Sequence, residues 1–387
     1  MPSGPADVDH RAAHPRRVGG FVLFLLVALL VTGCSNEVDI EPPKPTSSDA
    51  EGRAAQAQVT LDSLAQALSG GSAEHAADVA APGAEDDLAV VHRNARALRL
   101  DELTMRYVAD SAPPSAAERA EHGEDIWAGS VDLTYRYRGF DTQPARLETR
   151  VLFAPADDET RIAGFGGGET REPLWLTEQL SVERTPQTLV AVAGRPGRYP
   201  DLVSRAARQV SEVLKDWRGS LVVEVPASRE GLDAALRAQP GEYDNIAAVT
   251  TTADGSLTPE APVRILVNPE VFGRLKARGA QVVMTHEAVH DAAEAPFTSM
   301  PTWLLEGFAD HVALSTTRVP VSLAAGQVLR EIRKDGLPDR LPTSADLDPT
   351  APGLGATYEE AWLACRYLAR EYGEQRLIDF YRAVDQG

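Results

Sequence analysis

Scarcity says the most at first about this 387-residue chain. It has two cysteines, four lysines among 38 basic residues, and 6% aromatic residues. Positive charge is also short. Thirty-eight basic against 57 acidic side chains leave a net charge of −19, a surface that repels nucleic acid and excludes it as a partner. The lysine shortage (Lys44, Lys215, Lys276 and Lys334 only) reflects arginine-biased coding and carries no functional meaning. No apolar run reaches the roughly 20 residues a bilayer-spanning helix needs. The longest, Phe21 to Val31, has 11. With 43% hydrophobic and 25% charged residues, the composition excludes a collagen-like, coiled-coil or wholly disordered chain. The length suits two or three domains, each able to bury a core.

The N-terminus reads as an address. Arg11, Arg16 and Arg17 precede the 11-residue apolar run, which is the core of a signal peptide. The run ends in Val31-Thr32-Gly33-Cys34-Ser35, which resembles a bacterial lipobox. That resemblance implies cleavage after residue 33, lipid on Cys34, and a protein anchored to the outer side of the cell membrane. Arg16-Arg17 resembles a twin-arginine signal, although Val18-Gly19-Gly20 fits that pattern poorly, so the export route stays open. With Cys34 lipidated, Cys365 has no disulfide partner, and its neighbours Trp362, Leu363 and Leu368 mark it as a buried structural thiol. Residues 34–52, polar and proline-rich, read as a tether.

The remaining chain divides near 172. From 53 to 100 the pattern is helical, with Val59, Leu61, Leu64, Ala65 and Leu68 at three- and four-residue spacing and Gly70-Gly71 as the stop. Alternating runs at 103–108, 127–137, 147–153 and 161–165 predict a meander of strands. Helices followed by a meander resemble an NTF2-like or cystatin-like α+β domain over 53–172. Gly164-Phe165-Gly166-Gly167-Gly168 breaks the dinucleotide-loop spacing at Glu169, and Pro173 stands where a helix should open, so it reads as a turn. In the second half a hairpin is expected around Thr185-Pro186, helices over 201–217 and 229–238, and strands at 221–225, 246–252 and 263–267. The strand Val263 to Val267 is taken as a sheet edge to which an extended peptide could add.

The chemistry is concentrated between 286 and 310. His286-Glu287-Ala288-Val289-His290 lies in a stretch of helix formers without proline. Residues four apart stack on one helix face, so both imidazoles can reach one metal ion. Glu287 lies about 100° further round, beside such an ion and within reach of its water. Val282 and Val289 are expected on the inward flank. Trp303-Leu304-Leu305-Glu306-Gly307-Phe308-Ala309-Asp310 begins 13 residues after His290. Glu306 can supply a third ligand from a second helix, leaving the fourth tetrahedral position open, as in catalytic zinc sites.

HEAVH followed by WLLEGFAD resembles the gluzincin branch of zinc metallopeptidases, the peptidase MA-like group. The motif match covers 284–311, with a looser likeness over about 200–387. The likeness implies a zincin-type domain over 173–387, a mixed sheet plus a helical lobe, and one zinc ion held by His286, His290 and Glu306. It makes Glu287 the general base and Asp310 the acid that orients a ligand histidine. It implies Tyr358, leading the helix after the Pro/Gly-rich loop 335–355, as the oxyanion donor, with an ordinary core tyrosine as the competing assignment. His311 is not expected to be a ligand. No GxMEN-type motif is present, which argues against an M1 aminopeptidase. The implied activity is hydrolysis of peptide or protein substrates. A catalytically silent zincin-fold lipoprotein and a zinc hydrolase of a non-peptide bond remain as alternatives.

Overall fold

The computed structural model describes residues 48–385 except 158, 318 and 349–350. The signal segment, Cys34 and the tether up to 47 lie outside the described residues. The described residues belong to one compact unit. Among the described residues, no helix is long and apolar enough to cross a membrane.

The first helix, α1 (Ser48–Gly70), begins ahead of the expected position at 53 and takes in the end of the tether. Ser48-Asp49-Ala50-Glu51 contains no helix breaker. Ala57, Leu61, Leu64 and Leu68 form its buried stripe. Each leucine there contributes about 1.5–3 kcal/mol through burial. Val59 is off that stripe and 65% exposed, because two residues turn the helix by about 200° from Ala57. The helix stops at Gly70, and a Cβ on Gly71 would sit 2.8 Å from the Ala67 Cα, so only glycine fits. Then follow α2 (Ala73–Ala77) and α3 (Glu85–Leu98). The sheet is built from β1 (Leu100–Asp110), β2 (Trp127–Tyr137), β3 (Ala145–Ala156) and β4 (Glu159–Phe165), with α4 (Ala116–His122) between β1 and β2. It is an antiparallel meander in the order β1-β2-β3-β4. The glycine run after β4 is a turn. Gly166, Gly167 and Gly168 all have positive φ, and the Gly167 N–H donates to the Glu172 carboxylate at 2.6 Å.

The second half opens with α5 (Leu174–Thr177), the hairpin β5 (Leu180–Arg184) and β6 (Thr188–Ala193), then α6 (Tyr199–Val213) and β7 (Leu221–Val225). It continues through α7 (Arg229–Leu236), β8 (Ala248–Thr252) and β9 (Val263–Val267). The sheet is mixed, in the order β5-β6-β7-β9-β8, with β6, β7 and β9 parallel. The expectation that Val263–Val267 forms the edge is therefore wrong: β9 lies between β7 and β8, and β8 is the edge. Side-chain chemistry explains the order. Four of the five β9 residues are buried, including an arginine that is paired. The three threonines of β8 suit a strand with one open side.

A helical lobe follows: α8 (Pro269–Arg274), α9 (Ala277–Ala292), α10 (Thr302–Ser315), α11 (Val321–Ala324), α12 (Gly326–Asp335), α13 (Leu354–Tyr372) and α14 (Glu374–Asp385). The chain is thus α+β, with a four-stranded antiparallel sheet, a five-stranded mixed sheet and many helices. The halves on either side of 172 share one core, in which Trp175, Leu189 and Val222 pack with Leu133, Tyr135 and Tyr137. A buried ion pair reinforces that seam. Arg264 of β9 donates through both terminal nitrogens to Asp141, at 2.7 Å each.

Candidate metal centre

Helix α9 sets the first two groups. Ala280, Met284 and Ala288, four apart, are fully buried against the sheet and α6. Val289 is also buried, whereas Val282 is only half-buried. With that face committed to the core, His286 and His290 project together from another. Their Nε2 atoms stand 2.9 Å apart. Helix α10 packs on α9 through Leu304, Phe308 and Val312, which turns Glu306 and Asp310, one turn apart, toward the histidines.

The convergence is close. Glu306 Oε2 lies 3.1 Å from His286 Nε2 and 3.3 Å from His290 Nε2. Asp310 Oδ1 lies 2.9 Å from His286 Nδ1. An imidazole that donates its Nδ1 proton to Asp310 presents a lone pair on Nε2. Atoms bound at about 2.0–2.1 Å to one zinc ion, at tetrahedral angles, stand about 3.3 Å apart. The triangle of 2.9, 3.1 and 3.3 Å therefore fits a zinc ion with one position left open. His286, His290 and Glu306 are also the one His/Cys/Asp/Glu group among the described residues close enough to hold a metal ion.

Electrostatics follow from burial and proximity. Burial opposes a charge on His286, yet Asp310 and Glu306 outweigh it and raise the imidazole well above its usual range. Burial likewise opposes ionisation of Glu306, but the two imidazoles hold its carboxyl far below the ordinary value. Glu287 is raised, chiefly by burial, with the histidines and Thr250 pulling the other way. Thr250 of β8 was not foreseen from sequence. Its hydroxyl lies 2.7 Å from Glu287 Oε2 and 3.0 Å from the Glu287 main-chain oxygen. A threonine in a polar strand carries no local signal of this role; only the strand order puts it beside α9.

Tyr358, at the start of α13, stands with its ring centroid 6.3 Å from that of His286. Its hydroxyl has no hydrogen-bond partner among the described residues. Burial, then Glu306, Glu287 and Asp310, push that hydroxyl well above its usual pKa, so it remains a donor. Gly307 explains how α13 comes so near. A Cβ there would lie 2.3 Å from the Ala361 main-chain oxygen and 3.0 Å from Cys365 Sγ. The glycine beside Glu306 thus admits the α13 backbone, and with it Tyr358. Cys365 is buried against this contact, and burial raises its thiol to about 12, as fits a structural role. His311 is outside the cluster, buried, with Nε2 3.0 Å from Glu374 Oε2. The buried Nδ1 of His290 has no partner among the described residues.

No protein-family model matches the chain, and no curated protein matches it.

Proposed function

We propose that this chain is a zinc metallopeptidase of gluzincin type, carried on the outer face of a bacterial cell membrane by lipid on Cys34. In this reading 53–172 is an NTF2-like domain and 173–387 a zincin-type domain. The observation that carries it is the triangle of His286 Nε2, His290 Nε2 and Glu306 Oε2, with edges of 2.9 to 3.3 Å. The sequence Val31-Thr32-Gly33-Cys34-Ser35 supports the anchor.

A zinc ion held by these three residues supplies a Lewis acid that can bring the pKa of a water from about 15.7 toward about 7 and polarise a carbonyl. The protein's own groups do the rest. Glu287, raised by burial, takes a proton from the attacking water and hands it to the departing amine nitrogen. Thr250 fixes the orientation of its carboxylate from β8. Tyr358 donates its hydroxyl proton to the oxygen that gathers negative charge on the substrate. Asp310 holds His286 in the tautomer that leaves Nε2 free. The open edge of β8, not β9, offers main-chain groups to an extended substrate.

The test is zinc content together with peptide-library cleavage for wild type and Glu287→Gln. The expected outcome is about one zinc per chain in both, with cleavage at least ~100-fold slower in the variant. Zinc without cleavage by wild type would favour a silent scaffold, or a hydrolase of another bond if one is cut. Absence of stoichiometric zinc would sink the proposal.

A further inference from the structure

In this chain of 57 acids and 38 bases, some arginines are paired with carboxylates. Arg53 meets Asp110 at 2.6 Å, Arg161 meets Glu159 at 2.7 Å, and Arg340 meets Asp346 at 2.6 Å. Three other arginines converge at one place. Where the ends of α1 and α3 meet the end of β2, a hollow of about 390 Å³ is lined by Arg96, Arg99 and Arg138. Leu68 and Leu100, both buried, form its apolar floor, and the exposed Ser69 stands at its rim. Arg96 and Arg99 have no carboxylate partner among the described residues. Arg138 shares Asp101 with Arg136, whose Nε lies 2.8 Å from that carboxylate.

A fourth guanidinium backs the hollow. Arg184 of β5 donates to the main-chain oxygens of Leu98 at 2.7 Å and Arg138 at 2.6 Å. Burial, and then the charge of Arg99, lower its pKa, with Asp141 acting the other way. Bases often gather at a helix C-terminus because the dipole favours them. That accounts for Arg96 on α3, but the Leu98 carbonyl at that end already has Arg184 as its donor. Nor does it bring Arg138 from another element. Arg99 occupies the left-handed region at φ 56°, where glycine would be relaxed, and so holds a costly position with an unpaired charge.

We propose that this hollow binds a phosphate group, as an ester or a headgroup. Guanidinium forks suit phosphate oxygens, an apolar floor strengthens the attraction, and a basic hollow concentrates anions. The hollow is wider than one phosphate and leaves room for what the phosphate is attached to. The site lies in the first half of the chain and is independent of the metal centre.

The experiment uses the full chain and measures binding calorimetrically with inorganic phosphate and glycerol 3-phosphate, against chloride at equal ionic strength. Co-sedimentation with vesicles of phosphatidylglycerol or phosphatidylcholine separates a lipid source from a soluble one. Saturable binding that weakens at least tenfold in Arg96→Gln/Arg99→Gly is the expected result. Arg99→Gly also relieves the left-handed backbone, so thermal stability should hold, and Arg96→Gln alone should show part of the loss. Binding of the soluble ester alone, or of phosphatidylglycerol vesicles alone, supports the site and names its source. No binding by wild type to either form, or equal affinity in the double variant, overturns it.

Discussion

The cluster around Arg264 and the cluster around His286 are both buried and both mix opposite charges, yet their donors and acceptors are matched differently. Around Arg264, two terminal nitrogens meet the two oxygens of Asp141 at 2.7 Å, and Tyr137 donates to Glu224 at 2.8 Å. The guanidinium also lies 4.3 Å over the Tyr137 ring. The terminal donors there face acceptors, while Arg264 Nε stands 3.6 Å from Glu224 Oε1 without a hydrogen bond. Around His286, two ring nitrogens and a carboxylate oxygen face one another within 3.3 Å. With His286 Nδ1 committed to Asp310, that trio could hold a metal ion, and the proposed function assigns it one. The bidentate pair ties two sheets together, whereas the trio has the form of a receptor.

Four substitutions test that contrast. The largest effect is expected from Glu306→Gln, which removes a ligand charge: zinc affinity should fall by more than ~100-fold and cleavage with it, while the fold persists. Metal analysis alongside circular dichroism checks this, and full zinc occupancy in the variant would collapse the distinction. Asp141→Asn should do the reverse. It leaves Arg264 buried without its partner, so stability should drop by about 3–5 kcal/mol in denaturant unfolding, while zinc per folded chain stays unchanged. Gly307→Ala sharpens the comparison, because the added carbon collides with the Ala361 oxygen and shifts α13 rather than any ligand. Steady-state kinetics should show kcat/KM reduced by about 100-fold with zinc retained. The smallest effect concerns Glu118, in the first half. Burial opposes its charge, but Arg150 and the Ser115 cap bring its carboxyl down to about 2. Its stabilisation is present above the ordinary carboxylate value and disappears as pH falls through about 2. Denaturation of wild type and Glu118→Gln should differ by about 1 kcal/mol at neutral pH and converge in acid.

How much of this was legible in the sequence follows from the range of each interaction. The spacing of His286, Glu287 and His290 within one helix is local, and the distance-setting pair Glu306 and Asp310 repeats the same four-residue logic. Strand positions at 221–225 and 263–267 were likewise readable from apolar runs. Strand order was not, because pairing partners are chosen across long separations, and β9 was misplaced at the edge for that reason. Thr250 was invisible on the same ground. The exposed face of Val59 was not legible either, because apolarity alone does not say which face a residue occupies. Gly307 looked like one glycine among 30, and its meaning resides in the Ala361 backbone 54 positions later.

The Thr250 hydroxyl has one hydrogen and two oxygens of Glu287 within reach. When the carboxylate is ionised, that hydrogen can point to it. When Glu287 is carrying a proton, the hydrogen can swing to the backbone oxygen and the hydroxyl can accept instead. A single rotation about one C–O bond thus keeps the side chain anchored whether or not it carries a proton, with no movement of the strand or the helix.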